Sequence, residues 1–227
     1  MALTIDPGEI SSSGASLLRL RTLVRLRWLA VIGQSTAILF VALVLGYPMP
    51  MGPCFGIIAL SAWLNIFLTI RWPGSLLLSP KMAGLLLAYD TAQLAGLLYL
   101  TGGLQNPFAF LFLVPVTVSA TSLPLRSTLA LGSLSFGCAT ALAFYHLPLP
   151  WPKGETLQLP PNYLAGLWFS IVCGTVFAAI YARRIAEEAR QMSAALGATE
   201  IVLAREQRLS ALDGLAAAAA HELGTPL

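Results

Sequence analysis

The chain has 227 residues, of which 57% are hydrophobic and 10% charged. A water-soluble domain carries about 25% charged residues, so the composition excludes a wholly solvated globular protein and points to a surface facing lipid. The net charge is +3, but the positive residues gather at the ends of apolar runs, which marks membrane topology and excludes a nucleic-acid partner.

Residues 1–27 read as a basic cytoplasmic segment. Met1 to Ser16 is polar and holds Asp6 and Glu9, unlike a cleavable leader. Leu17 to Trp28 alternates leucine with arginine. Its apolar face is poorly segregated, which favours a simple basic anchor over a helix lying on an anionic leaflet. Six apolar runs follow within 28–181, at 28–46, 53–70, 82–100, 108–125, 127–147 and 163–181, each close to the ~20 residues that cross a bilayer. Pro115 in the fourth lacks a backbone donor and predicts a kink. Cys54, Cys138 and Cys173 lie in or beside these runs; an odd count without a CxxC pair predicts neither a disulfide framework nor a metal site.

Orientation follows from the basic residues. Arg19, Arg21, Arg25 and Arg27 precede the first run, Arg71 and Lys81 bracket the loop after the second, Arg126 follows the fourth, and Arg183 and Arg184 follow the sixth. The opposite loops hold only Lys153. The expected protein is multi-pass with both termini in the cytoplasm. Inside the third run Asp90 needs a partner, because an ionised carboxylate at the bilayer centre costs about 2.5–3.5 kcal/mol. Gln34, Asn65 and Asp90 fall at similar depth, and one polar cluster between helices is predicted, with Gln93 a turn above Asp90. It serves either as packing glue or as a proton-linked part of signalling.

The loop Thr101-Gly102-Gly103-Leu104-Gln105-Asn106-Pro107-Phe108 carries two turn signals, Gly-Gly and Asn-Pro, so its minimal reading is a tight connection. Beyond Tyr181 the composition turns polar and alanine-rich. Over 182–208, Ile185, Met192 and Thr199 recur every seven residues, and Ala189, Leu196 and Leu203 follow four later each time. That seam predicts a coiled-coil linker, hence a homodimer. Over 209–227 the register slips to Leu209, Leu212, Ala216 and Ala219, a change that alters local winding. At 100° per residue, His221 points roughly 160° from the mean direction of that second face. Thr225, one turn on, shares its side. Phosphoryl transfer to histidine needs a neutral imidazole nitrogen and gains from an adjacent carboxylate. His221 and Glu222 supply the pair, and the Thr225 hydroxyl suits orienting water for the reverse hydrolysis.

His221-Glu222-Leu223-Gly224-Thr225-Pro226-Leu227 resembles the H-box of sensor histidine kinases. The resemblance implies a phosphoacceptor at His221, an acid/base partner at Glu222 and a phosphatase-assisting residue at Thr225. Gly-Gly-x-x-Asn-Pro-Phe at 102–108 resembles the quinone-linked heptapeptide of the RegB/PrrB-type redox-responsive kinases, which are also similar in having six spans and an H-box of the form HELGTPL. A quinone is a flat apolar ring with two carbonyl acceptors. Gln105 and Asn106 can donate to it, Gly102 and Gly103 allow close approach, and Pro107 and Phe108 complete the loop.

The resulting expectation is an all-α membrane protein: six transmembrane helices, then a cytoplasmic coiled-coil and dimerisation helix. It implies a transmembrane sensor histidine kinase of a two-component system in a bacterial inner membrane. The kinase would sense redox state through membrane quinone, expected as ubiquinone, and pass phosphate from His221 to a response-regulator aspartate. No glycine-rich nucleotide motif occurs, so ATP and Mg²⁺ are expected to act through a catalytic domain beyond Leu227, and these residues alone are expected to be inactive. The competing expectation is a six-span transporter or ligand-binding protein with a cytoplasmic helical tail. It leaves the heptads and the terminal string unexplained.

Overall fold

The computed structural model describes residues 20–152 and 159–224, and the backbone only at 210, 211 and 213–223. Among the described residues the chain is helical, without sheet. Helix α1 is Leu20–Leu39 and continues as a π-helical turn, Phe40–Val44. Helices α2 (Met51–Arg71) and α3 (Pro80–Leu100) follow. Two 3₁₀ segments, Gly103–Gln105 and Pro107–Phe112, then lead into α4 (Leu113–Ser122), α5 (Leu125–Phe144) and α6 (Pro161–Leu223).

Local chemistry sets the helix ends. Ser79 caps α3, its hydroxyl accepting from the Met82 amide at 3.3 Å, with Pro80 in the first turn where a missing donor costs nothing. Pro107 starts the second 3₁₀ segment under an Asn106 cap.

Among the described residues five helices are long and apolar enough to cross a membrane: Leu20–Val44, Met51–Arg71, Pro80–Leu100, Leu125–Phe144 and one within Pro161–Leu209. Six spans are expected; at the fourth the structure has a shorter apolar segment, Pro107–Ser122. The sequence predicts a kinked α-helix there. Instead the chain tightens to three residues per turn before Leu113. Pro115 cannot donate to the Leu111 carbonyl and its ring crowds that carbonyl, so a regular α-helical turn is unavailable across the junction.

The first compact unit is Met1–Arg183. In it α1 packs on α2, α2 on α3, and α3 and α4 on α5. Its apolar contacts form separate layers. One joins Leu20 and Leu23 of α1 to Leu68, Leu86 and Leu131; another, at the opposite end, joins Leu98, Leu104, Phe112 and Leu142 to Ile171 of α6; a third holds Ile38, Cys54, Ile58 and Leu97. The Trp168 indole of α6 donates to the Thr140 hydroxyl at 3.0 Å and tilts against Phe136 at 5.1 Å between ring centroids.

The second unit is Arg184–Leu227. Along its helix Ile185, Met192, Leu196 and Leu203 are exposed.

Candidate functional site

Two features of the first unit combine chemistry with space. The first is the 101–108 turn. Gly102 and Gly103 hold φ of +105° and +57°, the left-handed region that glycine enters without strain. The space a side chain would need is already taken. A Cβ on Gly102 would lie 2.8 Å from Leu149 Cβ, and one on Gly103 would lie 2.6 Å from His146 Cβ and from the Leu142 carbonyl oxygen. The Leu147 amide donates to the Tyr99 carbonyl at 2.8 Å, which locks the 146–149 segment over the turn. The close approach these glycines permit is therefore made by the chain's own 142–149 segment.

Asn106 ties the turn together. Its side-chain carbonyl accepts from the Phe108 amide at 2.9 Å, and its amide donates to the Thr101 carbonyl at 3.0 Å and hydroxyl at 2.8 Å. Gln105 Oε1 is buried without a hydrogen bond.

The second feature is a half-open cavity of about 610 Å³ lined mainly by α1, α3 and the 107–118 segment. Its size lies in the range of small-molecule sites. The wall is mostly aliphatic. Asn106, Pro107 and Phe108 stand at one end together with Trp151, while Arg27, Gln34, Asp90 and Gln93 line it deeper along α1 and α3. Gly102, Gly103 and Gln105 do not line it.

The deep polar residues form two bridges between α1 and α3. Arg27 Nη2 lies 3.4 Å from Asp90 Oδ1 and donates to the Ser61 hydroxyl at 3.2 Å, and its guanidinium sits 5.1 Å from the Tyr89 ring centroid. Its side chain is 3% exposed and that of Asp90 20%. One turn along, Gln93 Nε2 donates to Gln34 Oε1 at 2.9 Å. The expected polar cluster thus exists in altered form. Asp90 and Gln93 take part, Asn65 instead donates to the Val24 carbonyl at 3.0 Å, and Arg27 supplies the missing partner. The basic-segment reading placed Arg27 outside the first span. The overlooked signal was its spacing of seven residues from Gln34, which sets both on one helical face toward Asp90 and Gln93.

His221 and Glu222 belong to the backbone of α6, and their side chains lie outside the described residues, as does Thr225 entirely.

No protein-family profile matches the chain, and neither does any solved structure. Two curated relatives do. Over 209 residues the chain is 47% identical to a protein named sensor histidine kinase RegB from Cereibacter sphaeroides, covering 92% of this chain and 45% of the relative. A second RegB, from a named strain of the same species, is 48% identical over the same lengths. The chain is similar to these RegB proteins over 92% of its own length. It spans about half the length of these RegB relatives, and the membrane segments described above lie in that shared half.

Proposed function

We propose that this chain is the membrane input region and phosphoacceptor start of a RegB-type sensor histidine kinase in a two-component system. The similarity to RegB over 92% of the chain carries the reading. The terminal His-Glu-Leu-Gly-Thr-Pro-Leu gives it a chemical centre. In this reading His221 takes the γ-phosphoryl group of ATP, Glu222 holds the second ring proton, and Thr225 orients water for the reverse reaction. ATP and Mg²⁺ are bound by a kinase catalytic domain, and a response-regulator aspartate receives the phosphate. Two copies pair through the 185–203 seam.

The 107–122 segment counts as a sixth crossing. Six residues of 3₁₀-helix at about 2.0 Å and ten of α-helix at about 1.5 Å carry it about 27 Å, close to the ~30 Å hydrocarbon thickness. Six crossings put both termini on the cytoplasmic side, where the arginines already place them.

The ligand in this reading is a membrane quinone, ubiquinone in the first instance. A flat ring with an apolar tail suits a largely aliphatic cavity of about 610 Å³ that has aromatic side chains at one end and amides within.

The decisive experiment is label transfer. The chain is incubated with a separately made histidine-kinase ATP-binding domain and radiolabelled ATP. Acid-labile phosphate on the wild type, absent from His221→Ala, is the expected result. No label on the wild type, or label that persists in His221→Ala, removes the kinase reading.

A further inference from the structure

The motif loop and the open polar atoms of the cavity are in different places. Around 101–108 the polar side chains at the cavity's end are bonded within the turn, and the buried atom left without a partner, Gln105 Oε1, does not line the cavity. Both functional ends of the Asn106 amide are engaged, the Thr101 hydroxyl donates to the Leu97 carbonyl at 2.8 Å, and the two glycines face Leu149 and His146. None of these groups offers a donor to a ligand without first breaking a bond of the turn.

The deep wall is different. The Gln34–Gln93 pair makes one hydrogen bond. Whichever way the two amides are turned, a single bond between them leaves one NH₂ and one C=O open. Asp90 commits Oδ1 to Arg27 and keeps Oδ2 free on a side chain that is 20% exposed and lines the cavity. From Gln93 to Thr101 is eight residues of α3, about 12 Å, too far for one ring to touch both ends.

We propose that the oxygen-bearing head of the ligand binds at Gln34, Gln93 and Asp90, midway along α1 and α3, and not at the 101–108 loop. This rests on the quinone reading above and assigns the head a separate position. The open amide NH₂ donates to a carbonyl oxygen of the oxidised ring. The open amide C=O and Asp90 Oδ2 accept from the hydroxyls of the reduced ring. Arg27, held by Ser61 and Asp90, fixes the carboxylate. The loop is a positioning element: Asn106 sets the start of the 107–112 turn and so places Phe108 at the cavity's end.

The test uses the full chain in phosphatidylethanolamine/phosphatidylglycerol vesicles with a photoreactive azido-ubiquinone, with the labelled residues mapped by mass spectrometry. Label within 27–41 and 87–97 that unmodified ubiquinone displaces is expected. Gln34→Leu/Gln93→Leu removes both partners of the bond together, so folding is retained at small cost while labelling falls about tenfold. Displaceable label confined to 101–110 overturns the position and leaves the quinone reading standing. Unmodified ubiquinone displacing no label anywhere overturns both. If the double variant fails to fold, the map on the wild-type chain decides.

Discussion

Arg27 and Asp90 are partners of unequal tolerance. The Arg27 side chain is 3% exposed. The Asp90 side chain is 20% exposed on a cavity wall, where polar atoms from outside the protein can reach it. Breaking a buried pair from one side costs about 3–5 kcal/mol, because the survivor keeps an uncompensated charge. Asp90→Leu should therefore lose that amount. Arg27→Met should lose clearly less, and the joint Arg27→Met/Asp90→Leu should recover most of the loss. Unfolding midpoints in detergent micelles rank the three; Arg27→Met as the worst would show that burial does not set the order. The need for a partner at Asp90 was plain in the sequence. Which residue supplied it was not, because an arginine just before an apolar run reads as a flank. Only the side-chain bridges between α1 and α3 show that the helix, from Leu20, carries Arg27 inside.

At the scale of elements, the turn between α3 and α4 separates two costs that glycine avoids. Gly46 and Gly103 have similar backbone angles, φ +68° and +57°, but a Cβ at Gly46 meets nothing within 4 Å while one at Gly103 meets the Leu142 carbonyl at 2.6 Å. Gly46→Ala thus carries only the left-handed penalty, about 1 kcal/mol. Gly103→Ala adds the displacement of backbone in α5, for about 2 kcal/mol or more in total. Equal melting temperatures for the two variants would mean that the 142–149 segment yields freely. The Gly-Gly and Asn-Pro pairs made this turn legible, since both act within a few residues. The segment after it was half legible. Its apolar run announces membrane, and Pro115 announces trouble, but the choice of a 3₁₀ start over a kink depends on the Asn106 cap and on packing of Ala109 and Phe112 against α5 and α6. The cavity itself was invisible in the sequence, because it is bounded by residues from helices far apart in the chain.

For the molecule as a whole, the proposed signalling to His221 requires the Arg184–Leu227 unit to work as a pair. Its helix leaves Met192, Leu196 and Leu203 exposed at 69%, 61% and 54%. The stripe recurs with heptad spacing, and a helix that keeps such a stripe in water gains by covering it with a second copy. Single cysteines test this in a chain whose Cys54, Cys138 and Cys173 are replaced by alanine. A disulfide needs Cα atoms about 4.4–6.8 Å apart. Met192→Cys, Leu196→Cys and Leu203→Cys on the seam should oxidise to linked dimers, and Ala194→Cys, on the far side of the helix, should do so several-fold more slowly. The comparison between 194 and 196 is the informative one, since the two are neighbours in depth and exposure and differ only in which way they point. Equal rates at both would mean random collision, and no linked dimer at 192, 196 or 203 would leave the proposed phosphoacceptor helix without a partner.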